Sequence, residues 1–196
     1  RGAEPAQAGW HRSYAYQESS QLEHGELNNR LSSTQLGDST QRYSYGDTAG
    51  RHGNITAMPH LPLMQWDYRD QLQMSAQQVI RDGTAASTWY VYDASGQRIR
   101  KVTERRGAAE AGVAPTPWKE RLYLDGCEIY REYAAHGEPA AVSLERETLH
   151  IMDDKQRVAM LETRSKGDDG SPPQLIRYQF NNHLGSTKSF DFVRMH

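Results

Sequence analysis

Tyr90-Val91-Tyr92-Asp93-Ala94-Ser95-Gly96-Gln97-Arg98-Ile99 decides how the rest of the chain is read. Side chains alternate between the two faces of an extended strand, so Tyr90 and Tyr92 share one face. The next four residues supply turn chemistry: Asp93 can hydrogen-bond its own backbone, and Gly96 can take a positive φ without steric cost. The chain then resumes as Arg98-Ile99-Arg100-Lys101-Val102-Thr103, whose alternation predicts a second strand. The unit reads as a β-hairpin.

Related units recur outward from this one. Aromatic pairs stand at Tyr14 and Tyr16, Tyr43 and Tyr45, and Trp66 and Tyr68, with looser copies around Tyr123, Met152 and Phe180. With the second member of each pair as a register mark, the intervals fall in the ~20–50-residue range typical of repeat architectures. Hairpins are expected from Tyr43 to Ile55 around Gly50 and Gly53, with Asp47 in its turn. Two more are expected, from Arg121 to Tyr133 around Asp125-Gly126 and from Leu149 to Leu161 around Asp153-Asp154. Residues 105–117 and 166–173, rich in Gly, Pro and small residues, read as exposed loops of variable length. The stretch from Gln71 to Asp82 is compatible with a short helix ended by Gly83. The expected fold class is all-β: repeated antiparallel hairpins with at most that one helix.

Composition agrees with thin sheets. Hydrophobic residues make up 36% of the 196, mean hydropathy is −0.87, and 11 Tyr stand against 3 Phe. Tyr packs its ring while its hydroxyl finds a polar partner, which suits a sheet with one wet face better than a thick core. The 23 Lys and Arg nearly cancel the 25 Asp and Glu and are interleaved with them. That pattern argues against a nucleic-acid footprint or an anionic-membrane surface, and no apolar run approaches the ~18 residues of a spanning helix. The single Cys127 excludes an internal disulfide and reads as a small strand residue. The first residue is Arg1 and the first nine residues lack apolar periodicity, so residues 1–12 read as a disordered or cut end and the sequence as a piece cut from something longer.

The ordered series of these units resembles the YD repeat of Rhs proteins and of the C component of insecticidal toxin complexes. It is carried by Tyr90-x-Tyr92-Asp93-x-x-Gly96-Gln97-Arg98-Ile99, by Tyr43-x-Tyr45-Gly46-Asp47-x-x-Gly50-Arg51, and by the run from Glu145 to Arg157. The most specific part is Ile176-Arg177-Tyr178-Gln179-Phe180-Asn181-Asn182-His183-Leu184-Gly185-Ser186, similar to the segment that leads into the Rhs-associated core. The resemblance spans residues 13–186 and implies a length of curved shell, or cocoon, enclosing a toxic carboxy-terminal cargo. Its implied partners are the remainder of that shell and the cargo, and its implied setting is a secreted or machine-delivered bacterial toxin. Residues 187–196 diverge from the family, and the sequence contains no Asp-Pro of the kind found at the family's self-cleavage site. The expectation is a segment ending before that site, with no enzymatic activity of its own.

His52, His60 and His183 have neither Cys partners nor helical spacing to Glu, and read as turn or solvent residues rather than zinc ligands. Asn181, Asn182 and His183 before Gly185-Ser186 suit a tight turn, and no nucleophile elbow accompanies them. Gly185-Ser186-Thr187-Lys188-Ser189 lacks the glycines of a phosphate loop. Asp153-Asp154 and Asp168-Asp169 lack the donor spacing of a calcium loop. No catalytic residue, metal or cofactor is therefore expected. The main alternative is a carbohydrate- or receptor-binding module, with Trp10, Trp66, Trp89 and Trp118 offering rings for stacking.

Overall fold

The computed structural model describes residues 11–46, 52–77, 85–105, 116–134, 141–181 and 187–192, with side chains described through Gln179. All regular structure among them is β, built of antiparallel strand pairs. The chain divides into two compact units, residues 1–85 and 86–196.

In the first unit, β1 (Arg12–Ala15), β2 (Ser33–Leu36) and β3 (Ser39–Arg42) form a three-stranded sheet in that order. The tight β2–β3 hairpin turns at Gly37-Asp38, a dipeptide with clear turn chemistry that the aromatic register marks passed over. Tyr43 and Tyr45 lie just beyond β3, where Ser44 makes an isolated bridge to Ala57 instead of opening a strand. Their hydroxyls reach back to the sheet, Tyr43 to Thr34 Oγ1 at 2.7 Å and Tyr45 to the Leu31 carbonyl at 3.2 Å. Asp47 and Gly50, expected in the turn of that unit, lie outside the described residues.

β4 (Leu63–Trp66) and β5 (Leu72–Ala76) form a hairpin in the same unit. The expected helix over 71–82 is thus replaced by a strand as far as Ala76, and residues 78–84 lie outside the described part. The reason is the Asp67 turn. Its Oδ1 accepts the N–H groups of Arg69 at 2.8 Å and Gln71 at 3.0 Å, which aims the chain back along β4. Met74, Ser75 and Ala76 are all buried there, and burial overrides local helix propensity.

In the second unit, β6 (Ser87–Tyr92), β7 (Arg98–Arg105), β8 (Thr116–Leu124), β9 (Cys127–Tyr133), β10 (Val142–Asp153), β11 (Gln156–Lys166), β12 (Gln174–Asn181) and β13 (Thr187–Phe192) lie side by side in chain order. The three hairpins expected around Gly96, Asp125-Gly126 and Asp153-Asp154 are present. Gly96 has φ +87°, the backbone state anticipated for it, and Gly126 has φ +83°. Arg105 pairs with Thr116, so both strands run into the ends of the segment read as a loop. Residues 187–192, read as the start of a divergent tail, pair with β12.

The Asp93 turn repeats the backbone hydrogen bonds of the Asp67 turn. Asp93 Oδ1 accepts from the backbone of Ser95 at 2.8 Å and of Gln97 at 2.9 Å, and also from the Ser95 hydroxyl at 2.7 Å. In both turns the Asp N–H donates to the carbonyl four residues on, and the residue three after Asp donates back to the Asp carbonyl. That residue has positive φ in each, Asp70 at 61° and Gly96 at 87°. The equivalence corrects the aromatic register: Trp66, not Tyr68, is the counterpart of Tyr92, and Tyr68 sits at the turn tip, 84% exposed. The Ser95 hydroxyl and the Gln97 amide hold the Asp93 carboxyl below the usual value. Replacing Asp93 with Ala is expected to speed hydrogen exchange of the Ser95 and Gln97 amides by about tenfold, the loss of one hydrogen bond's worth of protection each. Exchange measured by NMR checks this, with the Gly126 amide as the unaffected reference.

Candidate functional site

The second unit owes little to an apolar core. Buried hydrophobic residues among the described part of the chain are Met64, Met74, Ala76, Leu144, Ala159 and Leu175, and the buried polar set is as large, with Glu120 and Arg146 in it. A buried charge is tolerated only when paired and hydrogen-bonded. Each of these two is.

On one face of the sheet an alternating chain of charges crosses β7 to β11. Arg100 on β7 grips Glu120 on β8 through Nη2 and Nε, each 2.6 Å from Oε1. The other oxygen of Glu120 accepts the Tyr133 hydroxyl at 2.6 Å and lies 3.7 Å from Arg131 on β9. Arg131 Nε donates to Glu145 on β10 at 2.6 Å, and Ser165 on β11 donates to the same carboxylate at 2.8 Å. Burial pushes the Glu120 carboxyl up, but hydrogen bonds from Tyr133 and Arg100 and the charges of Arg100 and Arg131 outweigh it, leaving it below its usual value. The Arg131 and Ser165 hydrogen bonds likewise hold Glu145 low.

The opposite face carries the complementary signs. Lys119 and Arg121 on β8 meet Glu132 and Glu128 on β9, the first pair at 3.4 Å. His150 Nε2 on β10 lies 3.2 Å from Glu128, while its Nδ1 accepts from Arg157 on β11 at 2.9 Å. Because an Arg only donates, this fixes the imidazole proton on Nε2. Arg157 Nε donates onward to Gln179 on β12 at 2.7 Å. The expectation of one wet face is therefore replaced by two polar faces.

Two like-charged pairs break the alternation, Lys101 opposite Arg121 between β7 and β8 and Arg146 opposite Arg164 between β10 and β11, and the second is neutralised from outside the sheet. The segment 166–173, read as a variable loop, supplies the missing acids. Asp169 takes Arg146 in a two-point grip, Oδ1 to Nη2 at 2.6 Å and Oδ2 to Nε at 2.9 Å, and lies 3.2 Å from Arg164. Asp168 pairs with Arg164 as well. The Arg146 hydrogen bonds hold the Asp169 carboxyl far below its usual value. Gly167 makes the approach possible: at φ +76°, a Cβ there would lie 2.1 Å from the Ser143 carbonyl oxygen.

Arg98 joins aromatic repeat positions of two neighbouring hairpins, and Arg121 meets a ring within its own hairpin. The Arg98 guanidinium lies 5.7 Å from the Tyr90 ring centre and 4.8 Å from that of Tyr123, and Arg121 lies 5.2 Å from Tyr130. Tyr92 ends β6 beside Arg98, and Tyr178 on β12 is 45% exposed. Asp125 and Gly126 form the β8–β9 turn; Asn182, His183 and Gly185 lie outside the described residues. The indole N–H of Trp66 is bound to the Ile55 carbonyl and that of Trp89 to Glu104, while Trp118 lies under Arg105 and Lys119. Trp10 lies outside the described residues.

Along the hairpin-turn rim of the sheet runs a groove of about 490 Å³, lined by Arg98, Tyr123, His150, Met152 and Arg157 among others. It shares Glu128, His150 and Arg157 with a smaller recess of about 250 Å³. Among the described residues, no three His, Cys, Asp or Glu side chains converge as a metal ion would require.

No protein-family model matches the chain. A stretch is 35% identical over 69 residues to part of the glutamine–tRNA ligase of Xylella fastidiosa (strain Temecula1 / ATCC 700964), covering 35% of this chain and 11% of that protein. In fold, the chain is similar to the crystal structures of TcdB2-TccC3 (TM-score 0.58, 16% identity) and TcdB2-TccC3-Cdc42 (TM-score 0.57, 17% identity). Each likeness covers 92% of this chain and 9% of the other. At that identity the likeness is one of fold: an antiparallel all-β architecture common to this chain and a short length of those large toxin-complex chains.

The charge ladders set the expected response to acid. Because Glu120 and Glu145 are held low in the folded state, their contribution is complete above pH 4.5 and is lost as the pH falls through their depressed folded values. Urea unfolding of Glu120→Gln should cost about 2–3 kcal/mol at pH 7, since Arg100 and Tyr133 lose a charged acceptor at a buried site. Its stability should also fall less steeply than that of the parent between pH 4.5 and 2.5.

Proposed function

We propose that the chain is a non-enzymatic length of wall in an Rhs/YD-repeat shell that encloses a toxin polypeptide. The observation that carries this reading is the repeated turn at Asp67 and Asp93, each closing a hairpin with the same hydrogen bonds and the same positive φ. A unit of that kind, added hairpin after hairpin in chain order, makes a sheet with no intrinsic end. The fold shared with 9% of the TcdB2-TccC3 chains supports the same reading, since the chain then corresponds to a short part of a much longer wall.

The polar faces fit the role. A wall has solvent or cargo on both sides, and cross-strand ion pairs hold neighbouring strands without a second sheet to bury them. The shell, its cargo and its place in a delivered toxin belong to this proposal, as does the absence of catalysis by this segment.

Electron cryo-microscopy of the full gene-encoded polypeptide containing this sequence tests the reading. A hollow β-walled particle is expected, with these hairpins in the wall and additional polypeptide inside. A solid particle, or this segment as a separate bead outside any shell, would contradict it.

A further inference from the structure

We propose that His150 is a pH-sensitive staple: neutral, it holds the end of the β10–β11 hairpin in place through Arg157, and protonated, it releases that end. The staple works within the second unit and does not depend on a longer wall.

The ring lies between opposite charges. Its side chain is 12% exposed, with Nε2 3.2 Å from Glu128 on β9 and Nδ1 accepting from Arg157 Nη1 on β11 at 2.9 Å. An imidazole nitrogen accepts only while it carries no proton, and a guanidinium only donates. A proton added at Nδ1 therefore sets N–H against N–H and cation against cation, where little water screens them. On the other side of the ring, Glu128 attracts the new charge. Protonation keeps the Glu128 contact and breaks the Arg157 one.

The surrounding charges direct the repulsion onto Arg157. Arg121 on β8 is tied to Glu128, and Arg177 on β12 lies 3.8 Å from Glu162 on β11. Arg157 has no carboxylate partner among the described residues, and besides His150 it donates only to the neutral Gln179 on β12, at 2.7 Å. Lys155 in the hairpin turn and Arg98 on β7 add positive charge to the same groove, and Asp125 in the β8–β9 turn adds a negative one. Once His150 is charged, Arg157 is the cation with least to hold it.

The hairpin end is where such a link matters. The β10–β11 ladder is irregular between Ile151 and Met152, just past His150, and beyond that break only Met152 with Arg157 and Asp153 with Gln156 remain paired. An interrupted ladder leaves the tip with fewer regular hydrogen bonds to the body of the sheet. Glu128, His150 and Arg157 also line both the rim groove and the smaller recess, so the departure of Arg157 removes one of the three side chains the two spaces share.

The full chain, labelled for NMR, tests this across part of the pH 5–8 interval in which histidines change charge. At pH 7.5 the ring nitrogen shifts of His150 should show a proton on Nε2 and none on Nδ1. At pH 5.5 the ring should be protonated. Hydrogen-exchange protection of the amides of residues 155–157, corrected for intrinsic exchange, should then be about tenfold lower, with the Gly96 amide as the unchanged reference. His150→Asn places an amide oxygen near Nδ1 that accepts at either pH, and should keep the same protection at both. Arg157→Gln lacks the staple and should show low protection at both; if it fails to fold, His150→Asn decides the matter by itself. The proposal is overturned by unchanged protection in the parent, by a proton on Nδ1 at pH 7.5, by a loss while the ring is still neutral, or by an equal loss in His150→Asn, which would assign the effect to a carboxylate.

Discussion

Opposite charges facing each other across neighbouring strands are the constraint on which the second unit depends. On β8 the face with Lys119 and Arg121 is positive and the face with Glu120 negative; on β9 the signs reverse, with Glu128 and Glu132 against Arg131; on β10 they reverse again, with Arg146 against Glu145. Single exposed pairs of this kind contribute about 0.2–1 kcal/mol each. Their larger effect is on register. A one-residue slip sends every side chain to the other face. In one direction it would set Glu120 opposite Glu132 and Arg121 opposite Arg131, and on the next ladder Arg131 opposite Arg146 and Glu132 opposite Glu145. The native pairing is the one in which these repulsions vanish.

This arrangement explains why so polar a chain forms extended structure. With few buried apolar side chains, the sheet has little burial to specify its pairing, and weakly specified strands are prone to slip. Charges at consecutive strand positions supply the specification on both faces at once. The like-charged pair Arg146–Arg164 shows the same rule from the other side, because there the chain folds Asp168 and Asp169 over the sheet to neutralise it. The Asp67 and Asp93 turns complete the design by fixing where each hairpin reverses.

Much of this was legible in the residue order. Alternation flanking Asp93–Gly96 and Asp125-Gly126 announced hairpins because turn chemistry is local, and the all-β class followed from their repetition. The β5 strand was misread because the choice between helix and strand at Leu72–Ala76 rests on the Asp67 carboxylate and on burial beside β4, both of which are relations across the hairpin. Tyr68 misled the register because an aromatic at a turn tip looks the same in sequence as one on a strand. The charged residues were visible too, in Lys119-Glu120-Arg121 and Glu145-Arg146-Glu147, but their interleaving served only to argue against a nucleic-acid partner. Their meaning lies in which residue stands opposite, and that requires the register. The same holds for the groove, whose lining comes from four separate hairpin ends.

A double-mutant cycle on Arg131 and Glu145 tests the account most directly. With Arg131→Gln, Glu145→Gln and the double variant unfolded in urea at pH 7, the account predicts a coupling of about 1 kcal/mol that shrinks as the pH falls through the depressed folded value of Glu145. Additive losses with no coupling at pH 7 would mean that the ion pairs line the sheet without holding it.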